Sequence, residues 1–317
     1  MSRFFSEKYK NLVPYTPGEQ PKTRQYIKLN TNESPFPPSK KAVEYAAEAA
    51  RNLQLYPDPE CRRLTEAVAE RLGVSYDEVL LTNGSDEILN FAFMAFCDKD
   101  HPAAFADITY GFYSVFAEIN GVPYTKIPLA EDFTIRVEDY YNLGKTIFIA
   151  NPNAPTGIAL TRDQIEEILR RNPDTVVVVD EAYVDFGAQS AISLIRKYDN
   201  LLVTQTFSKS RSMAGARLGF GVGCPALIRD LNSDVRHAEE LARRLRGLRC
   251  HVNLIPLNDV KERSLAAPDK KTVDAFLKRL ELKHISATVR REMGADIEGA
   301  CGQLRRKVLD EAKAAKD

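Results

Sequence analysis

The chain has 317 residues, enough for one large domain or two of ordinary size. Its formal net charge is zero, which excludes overall electrostatic steering towards nucleic acid or a membrane, and its 44% apolar residues suit a soluble globular protein. The five cysteines are scattered without a CxxC pair, which favours a reducing compartment. The chain has no apolar signal core and no membrane-spanning stretch, so the expected location is the cytoplasm.

Residues 1–38 are rich in proline and lack a periodic apolar pattern, which predicts an irregular N-terminal arm. The arm contains VPYTPGEQP at Val13–Pro21 and LNTNESPFPPS at Leu29–Ser39. Helical patterns follow at Lys40–Asn52 and Cys61–Leu72, and the turn LYPDP separates them.

From residue 79 onwards, short apolar runs alternate with helical patterns. The alternation predicts an α/β fold with a seven-stranded, mostly parallel sheet covered by helices on both faces. The predicted strands are Val79–Thr82, Ala103–Asp107, Pro123–Leu129, Thr146–Ala150, Val176–Asp180, Leu201–Thr206 and Leu218–Val222. The predicted helices include Ser85–Phe96, Tyr110–Asn120 and Arg162–Arg170, the last with Thr161 as its N-cap. Ligands bind at the carboxyl ends of strands in such sheets, so polar residues just after each strand are the candidate site.

The stretch TFSKSRSMAGARLG at Thr206–Gly219 contains a lysine, Lys209, just after a buried strand. Such a lysine is partly removed from water, which favours the neutral amine that a Schiff base with an aldehyde cofactor requires. The hydroxyls of Thr206 and Ser208 and the guanidinium of Arg217 suit a phosphate beside that aldehyde. From this stretch alone, an ordinary solvated lysine is the alternative.

Two earlier strand ends carry features of the same kind. Asn83, Gly84, Ser85 and Asp86 open a helix, and the free N–H groups and dipole of a helix N-terminus favour a phosphate. An ordinary glycine turn with Ser85 as N-cap has the same pattern. Tyr110 follows the next strand, where it can stack on a flat ring or pack as an amphipathic side chain.

The turn after Thr146–Ala150 carries two amides, Asn151 and Asn153, and four valines precede Asp180. A carboxylate in that position is expected to be partly buried and to need a cationic partner. A protonated pyridine nitrogen is such a partner, and Tyr183 can donate to a phenolate oxygen. The successive strand ends together supply what pyridoxal phosphate needs: a lysine, a carboxylate for the ring nitrogen and donors for the phosphate.

A series of motifs resembles the histidinol-phosphate aminotransferases, which are pyridoxal-phosphate enzymes of fold type I. The motifs are PYTPGEQP, LNTNESPFPP, YPDPE, TNGSDEIL, NPNAPTG, VVVDEAY, TFSK and AGARLGFGVG, and the resemblance covers residues 1 to about 232. PYTPGEQP narrows it from aminotransferases in general to the histidinol-phosphate branch. It implies transfer of an amino group from histidinol phosphate to 2-oxoglutarate, giving imidazole acetol phosphate and glutamate in histidine biosynthesis.

The resemblance also implies roles for individual residues. Lys209 would carry the cofactor as a Schiff base and then move the proton, Asp180 would hold the pyridinium nitrogen, and Tyr183 would bond the phenolic oxygen. Tyr110 would stack on the ring, and the phosphate would be surrounded by Gly84, Ser85, Asp86, Thr206, Ser208 and Arg217. Tyr56 would contact the phosphate of the partner subunit's cofactor, which implies a homodimer, and Tyr15 and Asn32 would lie near the substrate.

At one position the sequence departs from the family. The family has an asparagine before Pro-Thr-Gly that bonds the phenolic oxygen, whereas this chain has Ala154. We expect the neighbouring Asn153 to take its place.

After residue 232 the family pattern is no longer followed. The family continues into a small C-terminal domain whose arginine binds the substrate carboxylate, and its motifs are not found here, so weak transamination is expected. Residues 233–307 instead resemble the C-terminal end of the radical-SAM RNA methyltransferases that modify an adenine, through HAEELARRLRGLRCHVNLIPLN and TVRREMGADIEGACGQLRR. That resemblance implies a contact with S-adenosylmethionine for Asn253 and a methyl-carrying role for Cys301. The iron–sulfur CxxxCxxC triplet is missing from the sequence, which argues against methylation.

The predicted organisation is therefore an N-terminal arm at 1–38, a cofactor-binding large domain at 39–232, and a methyltransferase-like βαβ fragment at 233–317. The two resemblances meet within 226–232, which indicates a chimera. The expected partners are a small-molecule amino donor, a 2-oxoacid and a second copy of the chain, with no metal. The alternatives are an RNA-binding or RNA-methylating fragment, disfavoured by the small basic excess of the C-terminal region, and an inactive fusion remnant.

Overall fold

The computed structural model describes residues 30–58, 60–232, 251–254, 270–282 and 285–289. The chain divides into two compact units, Met1–Leu231 and Asn232–Asp317. No helix in the described ranges combines the length and the apolar character needed to cross a membrane. Val13–Pro21 and Tyr15 lie outside the described residues.

The first unit contains seven strands and six α-helices among its described residues. The strands are β1 (Val79–Thr82), β2 (Ala103–Ala106), β3 (Tyr124–Ile127), β4 (Thr146–Ala150), β5 (Val177–Asp180), β6 (Leu201–Thr206) and β7 (Gly219–Gly223). The helices are α1 (Lys40–Ala49), α2 (Arg62–Leu72), α3 (Ser85–Phe96), α4 (Phe112–Asn120), α5 (Arg162–Arg171) and α6 (Pro225–Leu231). Every predicted strand is present, and the bounds differ from the predicted ones by two residues at most.

The seven strands form one sheet in the order β1-β7-β6-β5-β4-β2-β3. The pairs between β6, β5, β4, β2 and β3 are parallel, whereas β7 runs antiparallel to both β6 and β1. The prediction of a mostly parallel sheet is confirmed. Ala150 pairs with Asp180 and Asp180 with Thr204, so the ends of β4, β5 and β6 lie side by side.

The central strands are buried on both faces. In β5, Val177 and Val179 belong to one apolar cluster, and Val178 between them belongs to the other. The first cluster includes Ile165 of α5, and the second includes Phe93 of α3. A strand with helices on both faces needs apolar residues at successive positions, which explains the run of valines before Asp180.

Helix α5 begins with the capping arrangement that the sequence predicts. The Oγ of Thr161 accepts a hydrogen bond from the backbone N–H of Gln164, and the Oε1 of Gln164 accepts one from the N–H of Thr161, at 3.3 and 2.8 Å. Such a reciprocal pair satisfies two backbone donors that the helix itself leaves without partners.

The second unit contains β8 (His251–Leu254), α7 (Lys270–Leu282) and β9 (Ser286–Val289). The two strands are parallel, with His251 paired to Ser286 and Leu254 to Val289. Leu280 and Ile285 are buried there against Val252, Leu254, Phe276 and Ala287. This strand–helix–strand order agrees with the predicted βαβ fragment. The side chain of Asn253, all of Cys301 and the predicted helices on either side of the fragment lie outside the described residues.

Candidate active site

The carboxyl ends of β4, β5 and β6 open into a cavity of about 420 Å³ in the first unit. The N-terminus of α3 and the segment after β6 form further walls. The predicted site residues that line the cavity are Ser85, Asp86, Tyr110, Asp180, Tyr183, Thr206, Ser208, Lys209 and Arg217. The fold thus brings together residues that lie more than 130 positions apart, and the volume is that of a small-molecule site.

Lys209 lies just beyond β6, with its amine directed at the segment that precedes α1. Its Nζ donates to the backbone oxygens of Thr31 and Asn32, at 2.9 and 3.4 Å, and lies 5.6 Å from the centre of the Tyr183 ring. Thr31 and Asn32 both have positive φ, 64° and 50°. This uncommon left-handed conformation at two successive residues turns both oxygens towards the lysine.

Asp180 ends β5 and is 4% exposed. One carboxylate oxygen accepts a hydrogen bond from the hydroxyl of Tyr113 at 2.9 Å, and the other accepts one from the backbone N–H of Ala182 at 3.2 Å. Burial raises the pKa of Asp180 to about 6, although these two hydrogen bonds act in the opposite direction and nearby Asp86 adds to the rise. Within the described ranges, the carboxylate is therefore held by neutral donors and would gain most from a cationic ligand.

A second part of the cavity is built where the start of α3 meets residues 217–219. Gly84, with φ of 88°, immediately precedes Ser85, the first residue of α3. A Cβ on Gly84 would lie 2.7 Å from an Nη of Arg217, and one on Gly219 would lie 2.4 Å from the backbone N of Ser85. Only glycines at these two positions let the N-terminus of α3, the guanidinium and β7 approach so closely.

Hydroxyl groups complete this part of the cavity. The Oγ1 of Thr206 donates to the Oγ of Ser208 at 3.0 Å and accepts from its backbone N–H at 3.1 Å. Both residues are buried beside the cavity. Helix N–H groups, two hydroxyls and a guanidinium form a donor set that suits a phosphate group. The structure assigns the N-cap position to Gly84, so the alternative in which Ser85 is the N-cap is wrong.

The side chain of Asp86 joins the aromatic wall to the arginine. Its Oδ1 accepts a hydrogen bond from the hydroxyl of Tyr110 at 2.8 Å, and its Oδ2 lies 3.7 Å from an Nη of Arg217. Tyr110 also stacks on Phe112, with ring centres 5.6 Å apart and planes 21° apart. These contacts hold the ring of Tyr110 and the guanidinium of Arg217 on the same side of the cavity.

Asn153 is not part of the cavity wall, contrary to the expectation that it replaces the amide missing at Ala154. Its Nδ2 donates to the oxygen of Ile108 at 3.0 Å, and its Oδ1 accepts from Thr109 Oγ1 at 2.7 Å. The side chain is buried in these contacts, which join the turn after β4 to the turn after β2. Ala154 lines the cavity in its place and has no polar side-chain atom.

Other predicted residues occupy different positions. Asn32 donates from its Nδ2 to the hydroxyl of Tyr183 at 2.9 Å, so it lies beside the cavity. Tyr56 is fully exposed in the single chain. The sequence reasoning missed Tyr113, which holds Asp180, and Glu33, which lines the cavity. Tyr113 lies inside a predicted helix, where only its spatial neighbour distinguishes it from a core aromatic residue.

Comparison with known proteins finds relatives for the first unit of the chain and the residues just after it. Residues 24–239 match the family described as aminotransferase class I and II, which is more than half of the chain. The chain belongs to that family. The histidinol-phosphate aminotransferase of Brachyspira hyodysenteriae is 53% identical over 235 residues, which are 74% of this chain and 66% of that protein. Histidinol-phosphate aminotransferase 2 of Dechloromonas aromatica is 56% identical over 238 residues, covering 73% and 66%.

A solved aminotransferase has the same fold. The crystal structure of histidinol-phosphate aminotransferase from Sinorhizobium meliloti in complex with pyridoxal-5'-phosphate superposes with a TM-score of 0.60 and 25% identity, over 64% of this chain and 57% of that one. The predicted fold type I is therefore confirmed for the large domain. This chain spans 66% of the length of the two curated aminotransferases above, slightly less than two thirds.

Glu181 is a buried carboxyl group between Asp180 and Ala182, which both line the cavity. It is 1% exposed and accepts hydrogen bonds from the Oγ of Ser190, the backbone N–H of Ala191 and the Nε2 of Gln205, at 2.7, 2.6 and 2.8 Å. Burial raises its pKa to about 7, against the effect of these donors. The group joins the segment after β5 to β6, from which Lys209 extends.

The raised pKa of Glu181 predicts a stability that falls as the pH rises. Between about pH 4.5 and pH 7 the folded protein holds a proton on Glu181 that the unfolded chain has lost. The free energy of unfolding should fall across this window, with at most about 1.4 kcal/mol per pH unit from this one group. Glu181→Gln should make the fall shallower in denaturant unfolding, while part of it remains because of Asp180.

Glu167→Gln is the matched control. Glu167 is a partly exposed glutamate whose pKa is lowered by hydrogen bonds from Arg170 and Arg171. Glu167→Gln should therefore leave the fall in the free energy of unfolding between about pH 4.5 and pH 7 unchanged. If the free energy of unfolding falls equally steeply with pH in wild type and in Glu181→Gln, the raised pKa of Glu181 is contradicted.

Proposed function

We propose that this protein is a pyridoxal-phosphate-dependent aminotransferase of histidine biosynthesis. It would transfer the amino group of histidinol phosphate to 2-oxoglutarate, giving imidazole acetol phosphate and glutamate. The observation that carries the proposal is the convergence of Lys209, Asp180, Tyr183 and the donors around Ser85 in one cavity. Relatives more than 50% identical carry the name of this enzyme. The free cysteines Cys61, Cys97 and Cys224 suit the reducing cytoplasm, where we place the reaction.

The residues of the cavity fit pyridoxal phosphate, which the Sinorhizobium meliloti enzyme contains. Asp180 is a buried carboxylate held by neutral donors, as required by a protonated ring nitrogen. The donor set around Ser85 and Arg217 suits the phosphate, and a Cβ on Gly84 would disturb it. The bound cofactor supplies an electron sink for the transfer of an amino group.

The protein's own residues would then have separate tasks. Lys209 would attach the cofactor and take and return a proton through its Nζ. Asp180 would keep the ring nitrogen protonated, and the hydroxyl of Tyr183 would donate to the phenolic oxygen. Tyr110 would lie against the ring. The phosphate would be bound by Gly84, Ser85, Asp86, Thr206, Ser208 and Arg217, with Asp86 acting through its backbone N–H because its carboxylate is engaged with Tyr110 and Arg217. Tyr15 and Asn32 would lie near the substrate.

The first experiment is an absorbance titration with pyridoxal phosphate. Wild type should change the cofactor spectrum, and Lys209→Ala should abolish the change because the attaching amine is gone. Lys197→Ala is the control, because Lys197 is an exposed lysine paired with Glu166. Adding histidinol phosphate and 2-oxoglutarate to wild type should produce glutamate, and Lys209→Ala should produce none. A spectral change that survives in Lys209→Ala would contradict the proposed role of Lys209.

We also propose that the active form is a homodimer joined through the exposed apolar segment, residues 36–56. Helix α1 lies in this segment and has no buried residue. Six of the eleven large apolar side chains that the described residues expose belong to it: Phe36, Val43, Tyr45, Leu53, Leu55 and Tyr56. A concentration of this kind marks a protein interface rather than scattered surface apolar residues. Tyr56, fully exposed in one chain, would reach the phosphate of the partner subunit's cofactor.

Charge substitution tests the dimer. Leu53 is 82% exposed, and Leu53→Glu should raise the dissociation constant of the dimer by about a hundredfold because a carboxylate would be buried in the interface. Sedimentation over a range of concentrations measures the effect. Phe133→Glu puts the same charge on an exposed aromatic position outside the segment and should leave the dimer intact. A wild type that stays monomeric at the highest concentration would contradict the proposal.

The C-terminal region has a separate origin in our proposal. We infer that residues 1–38 are an arm, 39–232 the cofactor-binding domain, and 233–317 a fragment related to the radical-SAM RNA methyltransferases. Three observations support a change of origin near residue 232: the family match ends at residue 239, the curated relatives above match 74% of the chain or less, and a boundary between compact units follows Leu231. The relation to the methyltransferases rests on the motifs of residues 233–307 alone. The βαβ order of the second unit also agrees.

Sequencing the source DNA across codons 226–240 tests this origin. A fused gene should read through in one frame from the aminotransferase part into the C-terminal region. Two separate full-length genes at that locus would contradict a natural fusion.

A further inference from the structure

Tyr113 is the second residue of α4 and contacts Asp180, a residue that lines the cavity. Its hydroxyl donates to the Oδ2 of Asp180 at 2.9 Å, and the residue is completely buried. Its ring lies among Phe105, Phe148 and Tyr110, with ring centres 5.6, 5.8 and 5.6 Å away. The ring is therefore held on three sides, and the hydroxyl has a defined direction.

The two oxygens of Asp180 have different partners. The backbone N–H of Ala182 holds Oδ1, and that contact comes from the chain that continues directly after the aspartate. Oδ2 is held from another element, α4, by the only side-chain donor to this carboxylate among the described residues. The plane of the carboxylate group therefore depends on Tyr113, because one contact alone would let the group rotate.

We propose that Tyr113 is a positioning residue of the aminotransferase reaction, which keeps the Asp180 carboxylate ionised and oriented to bind the cationic ring nitrogen of the cofactor. The proposal rests on the function proposed above. Tyr113 is completely buried and does not line the cavity, so it would act through Asp180 alone.

The charge balance around Asp180 explains why a hydroxyl is needed there. Burial and the negative charge of Asp86 both raise the pKa of Asp180 and so favour its protonated carboxyl. A protonated carboxyl group no longer offers its full negative charge to a cation. Tyr113 opposes this by donating to the ionised form. Burial and the neighbouring Asp180 raise the pKa of Tyr113 well above its usual value, so it remains a neutral donor.

The test compares two ligands that differ at one atom. Pyridoxal phosphate has the ring nitrogen, and its 1-deaza analogue has carbon there, so the ratio of their dissociation constants measures the contribution of the nitrogen. Wild type should prefer pyridoxal phosphate, and Tyr113→Phe should reduce this preference by about tenfold while the affinity for the analogue stays nearly constant. Binding is followed by absorbance and requires no turnover.

Tyr140→Phe is the matched control. Tyr140 is also buried, at 1% exposure, and its hydroxyl has no hydrogen-bond partner among the residues that the structure describes. Removing that hydroxyl should leave the preference unchanged. In an Asp180→Asn background, Tyr113→Phe should have no further effect on the preference, because the group it positions is gone.

The outcomes separate the two proposals. A wild type that does not bind pyridoxal phosphate through Lys209 overturns the proposed function and with it the role of Tyr113. A wild type that binds it, together with an equal loss of affinity for both ligands in Tyr113→Phe, overturns only the role of Tyr113. If thermal unfolding shows that Tyr113→Phe does not fold, 3-fluorotyrosine at position 113 keeps the ring and strengthens the donor. The preference should then rise, and an unchanged preference overturns the proposal.

Discussion

Asp180 lies at the end of β5, one of the central parallel strands, and is 4% exposed. A buried negative charge of this kind is unfavourable unless donors or a cation compensate it. The protein provides two neutral donors, one from the next turn and one from α4. The carboxylate also lines the cavity, where a cationic ligand would stabilise its charge further. Much of the surrounding structure serves to bury and orient this carboxylate. The valines before Asp180 belong to the two apolar clusters that bury β5. The aromatic rings around Tyr113 fix the direction of the hydroxyl that donates to Asp180. Lys209 and Tyr183 line the same cavity as Asp180.

The end of the cavity at Ser85 and Arg217 depends on close packing at two glycines. Gly84 and Gly219 leave no room for a side chain between α3, β7 and Arg217. Because of this contact, the antiparallel strand β7 brings Arg217 to the N-terminus of a helix that begins more than 130 residues earlier. A helix N-terminus and a guanidinium placed together attract an anion more strongly than either does alone. The cavity therefore has donors that suit an anion at one end and a buried carboxylate that suits a cation at Asp180.

Agreement between sequence and structure is closest where periodicity is strong. The strand Leu201–Thr206 and the helix Ser85–Phe96 have the predicted bounds because apolar runs and helical periodicity act locally. Agreement is poorer in the turn after β4. Asn153 was expected in the cavity, yet its amide joins two loops, and Ala154 takes the wall position. The direction of a side chain in a turn is set by the backbone of that turn and by neighbours from distant segments, which no local pattern reports.

The sequence by itself determined the kinds of chemical group at the strand ends and their order along the chain. This was possible because parallel strands place their carboxyl ends at one edge, so residues just after each strand are brought together by the topology alone. Only the tertiary structure decided which of these groups enter the cavity and which support them. In the folded protein, Tyr113 donates a hydrogen bond to Asp180, and Asn32 donates one to Tyr183. Lys209 donates to the backbone oxygens of Thr31 and Asn32. These pairs join residues 67 to 178 positions apart, and their contacts arise only when separate elements pack.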